Sequence, residues 1–174
     1  MRLEFLYWMT ASLLVGIAIA ALVPRGDIQS REKRLIAIAL AGVTVALLCV
    51  GVVSHTVVRH VVQVAPPVCA LLIVIRRPSV GTTAAVPVLT FWLGLMFLIW
   101  LFLLDVIRLI SGRFTATEVA LTIVISSMCG LGLFGVTRSR SSLGMASRLG
   151  IAGLFACLQV GALVLSMQPW ALFR

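Results

Sequence analysis

Apolar runs about as long as a bilayer is thick dominate this chain, and they leave it few ways to fold. Phe5 to Val23, Leu35 to Val53, Ala84 to Ile110, Val119 to Val136 and Leu149 to Met167 carry almost no charge. A helix needs about 20 such residues to cross roughly 30 Å of hydrocarbon. Of all residues 61% are hydrophobic and only 11% charged, far from the balance of soluble domains. The expected fold is therefore all-α: a polytopic membrane bundle forming a single domain over residues 1–174, in a plasma or inner membrane.

The formal charge of +9 would invite a nucleic-acid reading in a soluble protein. Here the Lys and Arg residues sit mostly in the short gaps between apolar runs, where they set topology and meet anionic lipid head groups. The expected partners are the lipid bilayer and other membrane subunits or further copies of the chain, with no nucleic acid. Cys49, Cys69, Cys129 and Cys157 lie singly on four different runs, without the paired spacing of a zinc or dithiol site, and read as small buried hydrophobes. Arg2, an apolar run and Ala18-Ile19-Ala20 imitate a secretory signal, but Glu4 is foreign to its charged leader. The segment reads as a first span.

Between the second and third long runs lies SHTVVRHVVQVAPP, Ser54 to Pro67, the one stretch that puts charge, imidazole and a double proline into membrane-like sequence. On a wheel of roughly 100° per residue, His55, Thr56, Arg59, His60 and Gln63 share one side. Val57, Val58, Val61, Val62 and Val64 take the other. That division predicts a short helix with one polar face, stopped where Ala65 meets Pro66 and Pro67. Residues 68–75 are too few to cross alone, so residues 56–75 either span as a helix broken at Pro66-Pro67 or dip and return. Charge decides. With six spans, nine Lys and Arg residues share the face of the 25–34, 76–77 and 138–148 segments against five on the other; a re-entrant segment gives seven against seven. The positive-inside rule selects six spans, at about 5–23, 35–53, 56–75, 84–110, 117–136 and 149–167, with both termini on the non-cytoplasmic side.

The run from 84 to 110 is about 40 Å long as a helix and must tilt or overhang. Trp92 and Trp100 lie well inside it, pointing to contacts with partner helices or lipid tails, and Asp105 and Arg108 fall on one face near its end. Thr115-Ala116-Thr117-Glu118 has the form of a capping box, which gives Glu118 a structural task. Small residues recur at helical spacing in Ala37/Ala41, Gly42/Ala46, Ser126/Gly130 and Gly153/Cys157/Gly161, as expected of close helix contacts in lipid.

Ionisable groups at membrane depth are costly and mark candidate sites. The six-span topology brings Arg59, His60 and Gln63 to the same end as Asp105, Arg108 and Glu118, a polar cluster or pathway; its purely structural counterpart is an Asp105–Arg108 pair at a helix end with Arg59–Asp105 joining two helices. No nucleophile elbow, phosphate-binding glycine loop or metal-spaced cluster is present, so no catalytic residue and no metal are assigned. No cofactor is expected; haem b is the alternative, since membrane histidines ligate it. Its candidate ligands His55 and His60 lie about 140° apart on one segment and do not clasp one iron. The expected role is a non-enzymatic accessory or assembly subunit. The alternatives are a small-solute or proton-coupled transporter with its site at the broken third helix and a haem-binding electron-transfer subunit.

Overall fold

The computed structural model describes residues 3–107 and 114–168. Arg108 lies outside them, so its proposed pairing with Asp105 does too. Seven helices follow one another: α1 (Leu3–Leu22), α2 (Ser30–Val53), α3 (Val57–Gln63), α4 (Ala65–Arg76), α5 (Pro78–Leu103), α6 (Ala116–Arg138) and α7 (Met145–Ser166). Taking α3 and α4 as one span, six helices are long and apolar enough to cross a membrane. The protein is an integral membrane helical bundle.

The third span is bent, not stopped. Val64 keeps helical dihedrals, φ −83° and ψ −7°, and the chain passes through it with Val64 N–H donating to His60 O and Val68 N–H to Val64 O. Ala65, expected outside the α region, opens α4 instead, and Pro66 and Pro67 fill that helix's first turn, where missing amide hydrogens cost least. The prolines remove the i+4 donors of the Val62 and Gln63 carbonyls, and Val62 O accepts instead from a backbone N–H at the cap of α3. The wheel division is realised in part: Val57, Val58 and Val61 are exposed while Gln63 is buried, but Val64, from the valine side, is buried too and His55, from the polar side, is exposed.

Helix α5 is the hub, packing against α1, α2, α4, α6 and α7. Every residue from Gly81 to Trp92 is buried. Small side chains make this possible. Gly81 lies against the backbone of Ile73 and Val74 on α4, Gly16 of α1 against Pro87 and Thr90, and Gly132 of α6 against Leu89 and Ala39. Trp92 packs edge-on to Phe91 at 5.6 Å and is 2% exposed, so it contacts its own bundle and not lipid. Trp8 of α1 donates its indole N–H to Gly94 O at 3.0 Å and stacks on Phe97.

Helix α5 occupies 78–103, not 84–110. Pro78 starts it six residues early, because proline suits a first helical turn. Leu103 ends it, and Asp105 follows in a turn with φ 56°, exposed to solvent or head groups. The expected placement of Asp105 on a helix face near the end of this run is thereby corrected. Helices α2 and α7 likewise begin inside segments read as loops, at Ser30 and Met145.

The connections carrying most of the positive charge meet at one end and are tied together. Gly26 N–H donates to Ser141 O at 3.2 Å and Ser141 N–H to Pro24 O at 2.8 Å. Lys33 Nζ donates to Ile75 O at 3.0 Å, and the hydroxyls of Ser79 and Ser142 are 3.0 Å apart. Arg148, 4% exposed, donates through Nη1 to Ala21 O at 3.1 Å and to Val23 O. A guanidinium thus serves the orphan carbonyls at the end of α1, where the helix dipole favours a cation.

Candidate functional site

At the opposite end the described residues leave a cavity. The start of α3, the last turns of α2, α5 and α7 and the first turns of α6 surround this space of about 340 Å³, which also reaches Phe5 of α1, room for on the order of ten waters. Arg59, His60 and Gln63 form one wall and Glu118 and Thr122 another. Trp92, Leu95, Met96 and Ile99 of α5 supply an apolar side that reaches toward the middle of the bundle.

Each polar group is held by its local structure. His60 packs over Gly51, where an added Cβ would come within 2.9 Å of the His60 Cβ. Its Nδ1 lies 3.0 Å from Thr56 O and 3.1 Å from Thr56 Oγ1. A carbonyl only accepts, so Nδ1 carries the hydrogen and Nε2 is the nitrogen left over. Ser54 Oγ donates to Val50 O at 2.7 Å, and the 2.6 Å contact between Ser54 Oγ and Thr56 Oγ1 is therefore donated by the threonine. A directed chain runs from imidazole through two hydroxyls to the last turn of α2.

Deeper in the wall, Gln63 Nε2 donates to Ser166 Oγ at 2.9 Å, and Ser166 donates to Leu163 O at 2.7 Å. This pair joins the bent span to α7 within the bundle. Glu118 performs the capping task foreseen for it: its Oε2 accepts from Thr115 N–H at 2.8 Å and from Thr115 Oγ1 at 3.0 Å, and its own N–H donates to Thr115 Oγ1. The carboxylate is at once a cap and a cavity residue.

Other buried groups have no partner among the described residues: Arg59 Nε, Trp92 Nε1, Thr82 Oγ1 and both amide atoms of Gln159. Gln159 is wholly buried and shares a face of α7 with Leu163 and Ser166, one turn below the cavity. Burying such groups unpaired costs free energy, so they mark where water or ligand is most strongly favoured.

Of the expected cluster, Arg59, His60 and Gln63 are brought together with Glu118. Asp105 stays outside the cavity lining, and His55 sits exposed at the α2–α3 turn with φ 55°, also outside it. The two imidazoles do not share the cavity. No group of three or more His, Cys, Asp or Glu side chains suited to a metal occurs among the described residues. Sequence reasoning passed over Gln159 and Ser166, although a glutamine and a serine seven residues apart in an apolar run mark one polar stripe.

A second concave feature faces outward, beside the bend. Val62, Ala65, Pro66 and Cys69 face Leu158 and Gly161 of α7 across an apolar groove of about 380 Å³. Gly161 in this groove meets nothing within 4 Å, as do Gly130, Gly144, Gly150 and Gly153 elsewhere, whereas Gly16, Gly42, Gly81, Gly94 and Gly132 are all closed by atoms of other helices. No family model, curated protein or solved structure matches this chain.

Proposed function

We propose that the protein is a non-enzymatic accessory subunit of a membrane assembly, and that it receives one transmembrane helix of a partner in the groove between the bent third span and α7. The open glycine in the groove, Gly161 of α7, carries this reading. Association inside lipid gains little from hydrophobicity and depends on close backbone approach over small residues; the inner glycines are used in that way, whereas Gly161 meets nothing within 4 Å and lines the groove. On the positive-inside rule, the tied basic end is cytoplasmic and the cavity lies toward the other side.

The test is native mass measurement after gentle solubilisation from the membranes that make the protein. A heteromeric complex is expected, and Gly161→Leu, which fills the groove, should release the chain as a folded monomer. A wild-type monomer, or a complex indifferent to that leucine, refutes the reading.

A second reading, a small-solute carrier, is favoured by the cavity at the bend, where Arg59, His60, Gln63 and Glu118 converge beside freed backbone. Proteoliposome uptake abolished by Gln63→Ala supports it; tight liposomes that take up no solute count against it.

A further inference from the structure

The donors and acceptors of the cavity are unequally engaged. Glu118 is satisfied in place by Thr115 and by the N-terminus of α6, which favours negative charge. Among the described residues no ion pair joins it to Arg59. The hydroxyls of Ser54 and Thr56 are committed to their chain, and the Gln63 amide is committed to Ser166. Left over are Arg59, half-buried with Nε unbonded, Trp92, with a buried and unbonded indole N–H, and the Nε2 lone pair of His60. Of these, Arg59 and Trp92 only donate, and Arg59 alone carries charge. The positive charge lies in the second turn's reach of this end of the bundle, at the third residue of α3, while the α5 wall from Ile99 to Trp92 descends as an apolar surface.

Such a cavity holds at its mouth a guanidinium unpaired among the described residues, across from a Glu118 carboxylate already satisfied by Thr115, and an apolar wall below. We propose that it binds a single-chain amphiphile with an anionic head, the head against Arg59 and the chain along Trp92, Met96 and Ile99. Carboxylate and phosphate monoester heads share the required chemistry: oxygen acceptors that a guanidinium binds through charge-assisted bonds. The proposal stands whether or not the chain has a protein partner. It deepens the carrier reading without needing it: saturable binding with no uptake sinks the carrier and leaves the binding site.

The experiment is equilibrium dialysis of the whole protein in neutral-lipid nanodiscs, with empty discs subtracted, against radiolabelled decanoate, decyl phosphate, decanamide and decylamine. Saturation at one molecule per chain is expected, with either anion preferred over the amide by about tenfold or more, the scale of a charged hydrogen bond. The tighter of the two anions identifies the source as a free carboxylate or a phosphate head group. Arg59→Gln should abolish the preference and Arg59→Lys should keep most of it. Met96→Trp, which fills the chain's path, should weaken both anions and amide alike while their ratio stays. Equal binding of anion and amide, tighter binding of the amine, or displacement of decanoate by inorganic phosphate at equal concentration overturns the proposal. Should Arg59→Gln fail to fold, the wild-type ligand ratios and Met96→Trp decide alone.

Discussion

Two chemically identical substitutions should have opposite effects on this bundle. Gly81→Ala and Gly153→Ala each add one methyl group to a transmembrane helix, and each gains at most about 1 kcal/mol of intrinsic helix preference. At Gly153 nothing stands in the way, since no heavy atom lies within 4 Å of the new Cβ. At Gly81 the Cβ would lie 2.7 Å from the Ile73 carbonyl carbon and closer still to Val74 N and Cα. These are backbone atoms of α4 that no rotamer change can withdraw, so α4 and α5 must part by about an ångström. Overpacking of this kind costs about 1–3 kcal/mol, occasionally more, and here it separates the hub from the bent span. The helix-preference gain is common to both, so the two variants should differ by roughly 1–3 kcal/mol. At about 2–4 °C per kcal/mol for a chain of this size, their melting temperatures should differ by on the order of 2–12 °C. Loss of the monodisperse peak on heating in detergent measures this, with Gly42→Ala as an intermediate control, because its Cβ would meet only the movable Met128 side chain. Melting within about 2 °C of each other for Gly81→Ala and Gly153→Ala would refute the assigned α4–α5 contact.

Thr115→Ala removes the capping box and should cost about 0.5–2 kcal/mol of stability, read as lower thermal stability; an unchanged melt rejects the cap. Arg148→Leu strips donors from the carbonyls of Ala21 and Val23 and should cost about 1–3 kcal/mol, with faster proteolysis of the 24–29 connection as its local sign. Gln159→Met replaces a buried unbonded carboxamide by an apolar chain of similar length and should stabilise the protein by roughly 1–3 kcal/mol; destabilisation would show that water or a ligand satisfies the amide. A lipid-soluble maleimide should label the exposed Cys49, Cys69 and Cys157 and spare Cys129, which has no exposed surface, until the protein unfolds.

The bundle was legible because its signals are coarse and redundant. Twenty-residue apolar runs define spans, and the charge asymmetry that assigned residues 56–75 as a crossing agrees with Lys33 reaching Ile75 at the tied end. The capping box at Thr115 was legible because it is local chemistry at fixed spacing. Helix ends were less legible: Pro78 looks like punctuation but is also a good first residue, and that ambiguity displaced α5 by six residues and put Asp105 on a helix it does not occupy. The bend was misread for a related reason, since the preference of a pre-proline residue against helix was outweighed by the bonds carried through Val64. The site was half legible. The polar face of α3 announced Arg59, His60 and Gln63, but their partners Ser166 and Trp92 are set by packing between helices far apart in sequence.

The ties among Gly26, Ser141, Ser79, Ser142 and Arg148 close one end of the bundle, while the described residues leave a cavity at the other. Between the two, every residue of α5 from Gly81 to Trp92 is buried, so the interior is a cul-de-sac. Passage from side to side would demand that this packed core separate as well as the seam between the 24–29 and 139–144 connections.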